Sequence, residues 1–248
     1  MVSKNLIKTI RSLEQKKGRK HSGLFIAEGP KVVGDLMKRV SPTTIIATRE
    51  WTNATGYAVN VIETTDEELC KISCLQHPQQ VIALFPIPDE QSLSDIDASG
   101  ELSIALDGVQ DPGNLGTIIR IADWFGISTI FCSPDTADVY SPKVVQATMG
   151  SIARVNIVYV DLASLLDKYA GTLPIYGTLL DGNDIYAQPL STNGIIVMGN
   201  EGNGISAPIR ERITHKLLIP NFHKGDTAES LNVAIATAIT CSEFKRRG

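Results

Sequence analysis

Beyond residue 100 the chain carries six apolar runs of strand length: Leu102 to Leu106, Thr129 to Cys132, Val155 to Val160, Ile175 to Leu179, Gly194 to Met198 and Lys216 to Ile219. Each run is nearly continuous in its apolarity rather than alternating, which marks strands covered on both faces. Alternating with helical stretches, such strands imply an α/β domain, a parallel sheet flanked by helices. Ligands of open parallel sheets bind beyond the carboxyl ends of the strands, so chemistry is expected in the residues that follow these runs. The chain closes with Ala228 to Arg247, where Leu231, Ala234, Ile235, Ala238 and Ile239 form a helical stripe ahead of a basic end.

The stretch Pro86 to Gly100 is acidic, polar and punctuated by proline, and it reads as a linker between domains. The expected division is 1–88, a linker over 89–100, and 101–248. In the first part Leu6, Ile7, Ile10 and Leu13 recur at helical spacing, while Leu24 to Ile26, Thr44 to Ala47 and Val81 to Phe85 read as strands. This is a small mixed α/β module.

With 43% apolar and 20% charged residues the chain has the composition of an ordinary folded protein. None of its apolar runs approaches the roughly 18 residues of a spanning helix. Met1 to Asn5 lacks an apolar signal core, and a cytoplasmic location without membrane contact is expected. Cys70, Cys74, Cys132 and Cys241 are too few and too scattered for a disulfide framework. Cys70 and Cys74 lack the second ligand pair of a zinc site and the four histidines are dispersed, so no metal is expected.

The net charge is −4, but it is unevenly spread. Residues 1–39 hold ten Lys or Arg against Glu14, Glu28 and Asp35, a balance of +7 that leaves −11 for the remainder. Such asymmetry can direct a polyanion to one end of a molecule, although a solvated helix face has the same composition.

Three loops follow strands. The first runs from Asp107 through Asp111-Pro112-Gly113-Asn114-Leu115-Gly116 to Arg120. Asn114 could cap the helix that starts there and Arg120 could pair with Asp123, or both could face a site where a helix start and a guanidinium meet phosphate or an alkoxide. The second, Gly199-Asn200-Glu201-Gly202-Asn203-Gly204, has the spacing Gly-x-x-Gly-x-Gly and not that of a dinucleotide fingerprint. The third comprises Ile219-Pro220 and then Ser230-Leu231-Asn232, polar residues that would cap an otherwise apolar helix.

In order and wording these loops resemble the three signature motifs of the SpoU/TrmH family of SPOUT methyltransferases, and the resemblance covers almost the whole chain. Phe25-Ile26-Ala27-Glu28-Gly29 after a basic helix is similar to the family's N-terminal substrate-binding domain, itself similar to RNA-binding ribosomal proteins. The resemblance implies a C-terminal deep trefoil knot, a homodimer, and transfer of a methyl group from S-adenosylmethionine to a ribose 2′-hydroxyl of RNA. The two-domain organisation points to ribosomal RNA. Cofactor binding is implied at Gly199, Ile219 and Leu231, with Thr178 and Leu179 beside them.

The resemblance assigns activation of the ribose oxygen to Arg120. A guanidinium is a poor base, which leaves two roles: a proton acceptor whose pKa is strongly depressed, or a fixed cation that stabilises the developing alkoxide while another group takes the proton. Asn114 and Asn232 would orient the ribose or Arg120. Glu201 would hold Arg120 or a loop, and Ser230 would contact substrate phosphate or cofactor. Two positions depart from the family pattern: Glu229, where a second serine is common, and Gln80, where a glycine follows Pro-Gln. A carboxylate at 229 would repel phosphate if it faced the RNA. Alternative readings are a transfer RNA substrate, a non-catalytic RNA-binding protein that kept the fold, and an oxidoreductase built on Gly199 to Gly204.

Overall fold

In the computed structural model, which describes residues 2–223, 225–226 and 228–247, the helices are α1 (Lys4–Ser12), α2 (Lys16–Ser22), α3 (Pro30–Met37), α4 (Arg49–Thr55), α5 (Asp66–Ile72), α6 (Pro112–Trp124), α7 (Pro142–Ala147), α8 (Leu162–Lys168), α9 (Ala207–Arg210) and α10 (Val233–Arg247). The strands are β1 (Leu24–Glu28), β2 (Thr44–Thr48), β3 (Val61–Thr64), β4 (Val81–Pro86), β5 (Leu102–Leu106), β6 (Thr129–Cys132), β7 (Asn156–Tyr159), β8 (Ile175–Asp184), β9 (Gly194–Met198) and β10 (His215–Leu218). Two compact units result. One runs to Asp89 and takes in Asp138–Arg154, and the other comprises Glu90–Ala137 and the chain from Val155 onward. A linear division near residue 89 does not contain this excursion of 138–154 into the first unit.

The first unit holds a four-stranded sheet in the order β1-β4-β2-β3, antiparallel except for the parallel pair β2 and β3. One face packs Phe25, Val33, Ile45 and Phe85 with Val145 of α7, and the Phe25 and Tyr140 rings lie 4.9 Å apart. The other face packs Ile26, Ile46 and Leu84 against Ile10 and Leu13, the helical stripe of α1. β3 was not among the expected strands: Val61 and Ile62 are only half-buried and Glu63 is exposed, so the apolar run is too short to stand out.

All six strands of the second unit run parallel, in the order β10-β8-β9-β5-β6-β7. β5 and β9 are buried along their whole length, as continuous apolarity requires. From β5 the chain steps one way to β6 and β7, while β9 and β8 lie on the other side. The order therefore reverses at the β5/β9 boundary, where the loops that leave their carboxyl ends open a crevice.

β8 pairs with β9 over Ile175–Gly177, bulges at 178–182, and rejoins β10 through Asn183 and Asp184. The bulge presses close to β10, since a Cβ on Gly182 would lie 2.5 Å from the Leu217 carbonyl carbon.

Part of the expected linker is core. Ile96 and Ala98 are buried, the Ala98 amide donates to the Tyr169 hydroxyl at 2.8 Å, and that hydroxyl donates to the Ile96 carbonyl at 2.9 Å. A second correction concerns the last helix, which begins at Val233 and not at Ala228. Ser230, Leu231 and Asn232 stand ahead of it, Asn232 accepting the Ala234 and Ile235 amides as the cap that starts the helix. No helix among the described residues is long and apolar enough to cross a membrane.

Candidate active site

α6 starts at the end of the loop after β5. Asp111 is its N-cap, accepting the Asn114 amide at 2.8 Å, and Pro112 fills the first turn. Asn114 is therefore not the cap, and its side chain is left for other work. Leu115, Ile118, Ile119 and Ala122 turn inward to the sheet.

The loop after β9 folds back on itself. Asn200 and Gly204 exchange main-chain hydrogen bonds at 2.9 Å, and the Asn200 side-chain oxygen accepts the amides of Gly202 and Asn203 at 2.9 and 3.0 Å. Asn200 Nδ2 also donates to the Gly108 carbonyl at 2.7 Å, tying this loop to the one after β5. Gly199 sits at a close backbone approach: a Cβ there would lie 2.3 Å from the Gly204 carbonyl carbon. Asp107, nearly buried at the end of β5, accepts the Ser206 amide at 2.7 Å and anchors the far side of the loop.

The three loops meet through a chain of side-chain hydrogen bonds. Asn232 Nδ2 donates to Asn114 Oδ1 at 2.9 Å, and Asn114 Nδ2 donates to Glu201 Oε1 at 3.0 Å. Asn232 also caps α10, its Oδ1 accepting the amides of Ala234 and Ile235 at 3.0 and 3.3 Å. Capping and site contact are thus performed by one side chain. The Glu201 carboxylate further faces the amides of Gln110 and Asp111, both at 3.4 Å.

Beside this junction lies a cavity of about 560 Å³, bounded by the β8 bulge, the loop after β9, the end of β10 and residues 229–231. Its size suits a small-molecule ligand. All five residues expected to hold a cofactor, Thr178, Leu179, Gly199, Ile219 and Leu231, line it, as do Glu201 and Ser230. Arg120 is the exception. It is exposed on α6, does not line the cavity, and makes no hydrogen bond or ion pair among the described residues.

Carboxylates dominate the charged lining: Asp181, Glu201 and Glu229 against Arg210. Asp181 bonds to Lys216 at 3.1 Å and also to Arg210, and these cations hold its carboxyl below the usual range, Lys216 contributing most. Glu201 is engaged by Asn114 and by the Gln110 and Asp111 amides, which leaves Glu229 to face a ligand and gives the cavity a bias toward one that carries positive charge. Among the described residues no three His, Cys, Asp or Glu side chains cluster as metal ligands would. Sequence reasoning missed Asn200, Asp181 and Arg210 as parts of this site. An Asn placed just before Glu201 in a glycine-rich loop is a signal for the first, since Asn side chains bond the backbone two residues on.

Residues 101–242 match the model of the SpoU rRNA Methylase family, and residues 4–83 match that of the MRM3-like substrate binding domain. The 23S rRNA (guanosine(2553)-2′-O)-methyltransferase of Bacillus subtilis is 30% identical over 94% of this chain and 93% of its own length. The AdoMet-bound rRNA methyltransferase of Sinorhizobium meliloti has a similar structure, with TM-score 0.87 and 32% identity over 100% of this chain and 97% of that one. A protein of Porphyromonas gingivalis assigned to the TrmH family superposes with TM-score 0.89 and 41% identity over the full length of both chains.

Proposed function

Because the chain belongs to the SpoU rRNA methylase family, we propose that it is an RNA methyltransferase acting on a ribose 2′-hydroxyl of ribosomal RNA, with S-adenosylmethionine as donor. One observation carries the reading for this particular chain: Asn232, Asn114 and Glu201 join three strand-end loops by hydrogen bonds at 2.9 and 3.0 Å, beside a cavity of cofactor size.

The cavity fits the donor. Its wall combines main chain with Leu179, Ile219 and Leu231, and its surplus of carboxylate suits a ligand bearing a sulfonium and an ammonium group. When bound, S-adenosylmethionine supplies an activated methyl group to the ribose oxygen. The protein's tasks are then to place that oxygen in line and to stabilise the charge it develops.

We assign placement to Asn114 and Asn232, whose side chains are fixed from opposite sides, and assign to Glu201 the bracing of Asn114. Ser230 contacts cofactor or substrate phosphate. Arg120 stands exposed on α6, and we read it as the fixed cation that meets the developing alkoxide, a guanidinium being a poor base, while a substrate phosphate takes the hydroxyl proton. Glu229 lines the cofactor cavity, so the departure at this position faces the donor and not the RNA backbone.

In the same reading, the first unit binds substrate and the second forms the catalytic domain. The deep trefoil knot is supported by the parallel order β10-β8-β9-β5, in which the chain passes from β9 beyond β8 to reach β10. A homodimer is supported by apolar surface on the packed helices α6 and α10, Trp124 of α6 being 85% exposed and Ile235 of α10 52% exposed. The protein acts in the cytoplasm, where ribosomal RNA is found. Incubation with labelled S-adenosylmethionine and ribosomal RNA from cells lacking the gene tests the activity: label is expected on a ribose 2′-oxygen, and failure to label any such RNA would overturn it.

A further inference from the structure

The cations of residues 1–39 do not form one surface. Arg19 is 3% exposed; its Nε and Nη2 donate to Asp138 Oδ2 at 3.2 and 2.6 Å, and its Nη1 donates to the Leu13 carbonyl at 2.6 Å. Lys31 and Lys38 both reach Asp35, at 3.1 and 2.8 Å. By contrast Lys4, Lys8, Arg11, Lys16, Lys17, Lys20 and Arg39 are exposed and make no ion pair among the described residues. All but Arg39, which follows α3, lie on α1 and α2, and Glu14 is the sole acidic residue before Glu28.

The two helices hold these charges in a fixed corner. On α1, Lys4, Lys8 and Arg11 recur at i, i+4 and i+7 and so share a face, turned away from the stripe of Ile10 and Leu13 in the core. A Cβ on Gly18 would lie 1.9 Å from the Ser12 carbonyl oxygen, so the backbone of α2 rests directly against the end of α1. Arg19 then ties α2 to the Leu13 carbonyl and, through Asp138, to the segment that carries α7. Ordering these side chains on a rigid support costs less entropy than ordering them on a mobile tail.

The corner bears no Phe, Tyr or Trp on which a base could stack. Six cations without a stacking platform, on a chain of net charge −4, suit a phosphate backbone whose sequence is not read. Resting on the methyltransferase reading above, we infer that the α1–α2 corner is the surface on which the phosphate backbone of the substrate RNA docks, and that Arg19 and Gly18 position it without touching RNA.

The test uses the full chain and a ribosomal RNA fragment, comparing wild type, a Lys8→Gln, Arg11→Gln, Lys16→Gln, Lys17→Gln variant, and a Lys31→Gln, Lys38→Gln control, all checked for a cooperative thermal transition above the assay temperature. RNA affinity is measured as a function of salt, and cofactor affinity by calorimetry. The fourfold variant is expected to lose at least about tenfold in RNA affinity, with the slope of log K against log salt shallower by roughly 0.7–0.9 for each contact removed. Cofactor affinity and the control's RNA affinity should match wild type. Equal RNA affinity and equal slope in the fourfold variant would overturn the inference, as would loss of binding to anionic vesicles or an acidic protein with RNA binding intact. Wild type that binds RNA through these residues but methylates none would uphold the docking surface and overturn the enzymatic reading alone.

Discussion

Asn232 caps the last helix with its side-chain oxygen and, through the nitrogen of the same amide, donates to Asn114 across 2.9 Å. A helix start and a candidate catalytic asparagine are thereby set by one group, and Asn114 passes the constraint on to Glu201. The three behave as a unit, so their removal should be strongly non-additive.

Asn114→Ala should lower kcat/KM by about 10- to 100-fold, in line with the ~1.5–3 kcal/mol of a hydrogen bond to a charged group. Asn232→Ala should cost somewhat less, and the double variant little more than Asn114→Ala alone. A double-mutant cycle on kcat/KM checks this, and simple additivity would show that the contact does not transmit position.

At Gly199 even one methyl group has no room, with backbone of Gly204 and Ile205 at 2.3–2.6 Å from where it would sit. Gly199→Ala is expected to abolish measurable cofactor binding in calorimetry by displacing the 199–204 turn. Retention of wild-type affinity would remove that turn from the cofactor wall.

Gln80 has φ +49°, in the left-handed region that costs an ordinary residue roughly 1–2 kcal/mol. Its carbonyl accepts the Thr48 amide at 2.8 Å, so the conformation is held by the sheet. The glycine that the family pattern has here fits this geometry. Gln80→Gly should stabilise the protein by about 0.5–1 kcal/mol after the greater freedom of unfolded glycine is subtracted, seen as a rise of roughly 1–4 °C in Tm. A lower Tm would contradict this.

Lys38 above all, with Lys31, holds the Asp35 carboxyl down at about 2, against an ordinary 3.8. A carboxyl lowered in the folded state adds stability that is present above its unfolded value and lost as pH falls through the folded one. Wild type should therefore exceed Asp35→Asn in urea stability at pH 5, and the difference should shrink between about pH 4 and pH 2. A difference independent of pH would assign the effect to packing.

Much of the second unit was legible because its strands are buried on both faces and so read as unbroken apolar runs: β5 and β9 match their expected spans residue for residue. That chemistry would gather at the loops after those strands was legible from the strands, while the particular residues lining the cavity were implied by the family resemblance. Arg19 was not, since an arginine in a basic run looks like surface until its long-range partner Asp138 is known. The cap of α6 could have been read: Asp111-Pro112 places an acceptor and then a residue preset for the first turn, which releases Asn114 from capping. The place of 138–154 in the first unit depends on packing such as that of Tyr140 on Phe25, which no local pattern announces.

The central claim is tested most directly by mapping ribose 2′-O-methyl groups across ribosomal RNA from cells that carry the gene, lack it, or carry Arg120→Ala in its place. The account predicts a ribose methylated with the gene, unmethylated without it, and unmethylated or nearly so with Arg120→Ala, although purified Arg120→Ala still binds S-adenosylmethionine because Arg120 does not line the cavity. An unchanged methylation map in cells lacking the gene would contradict it.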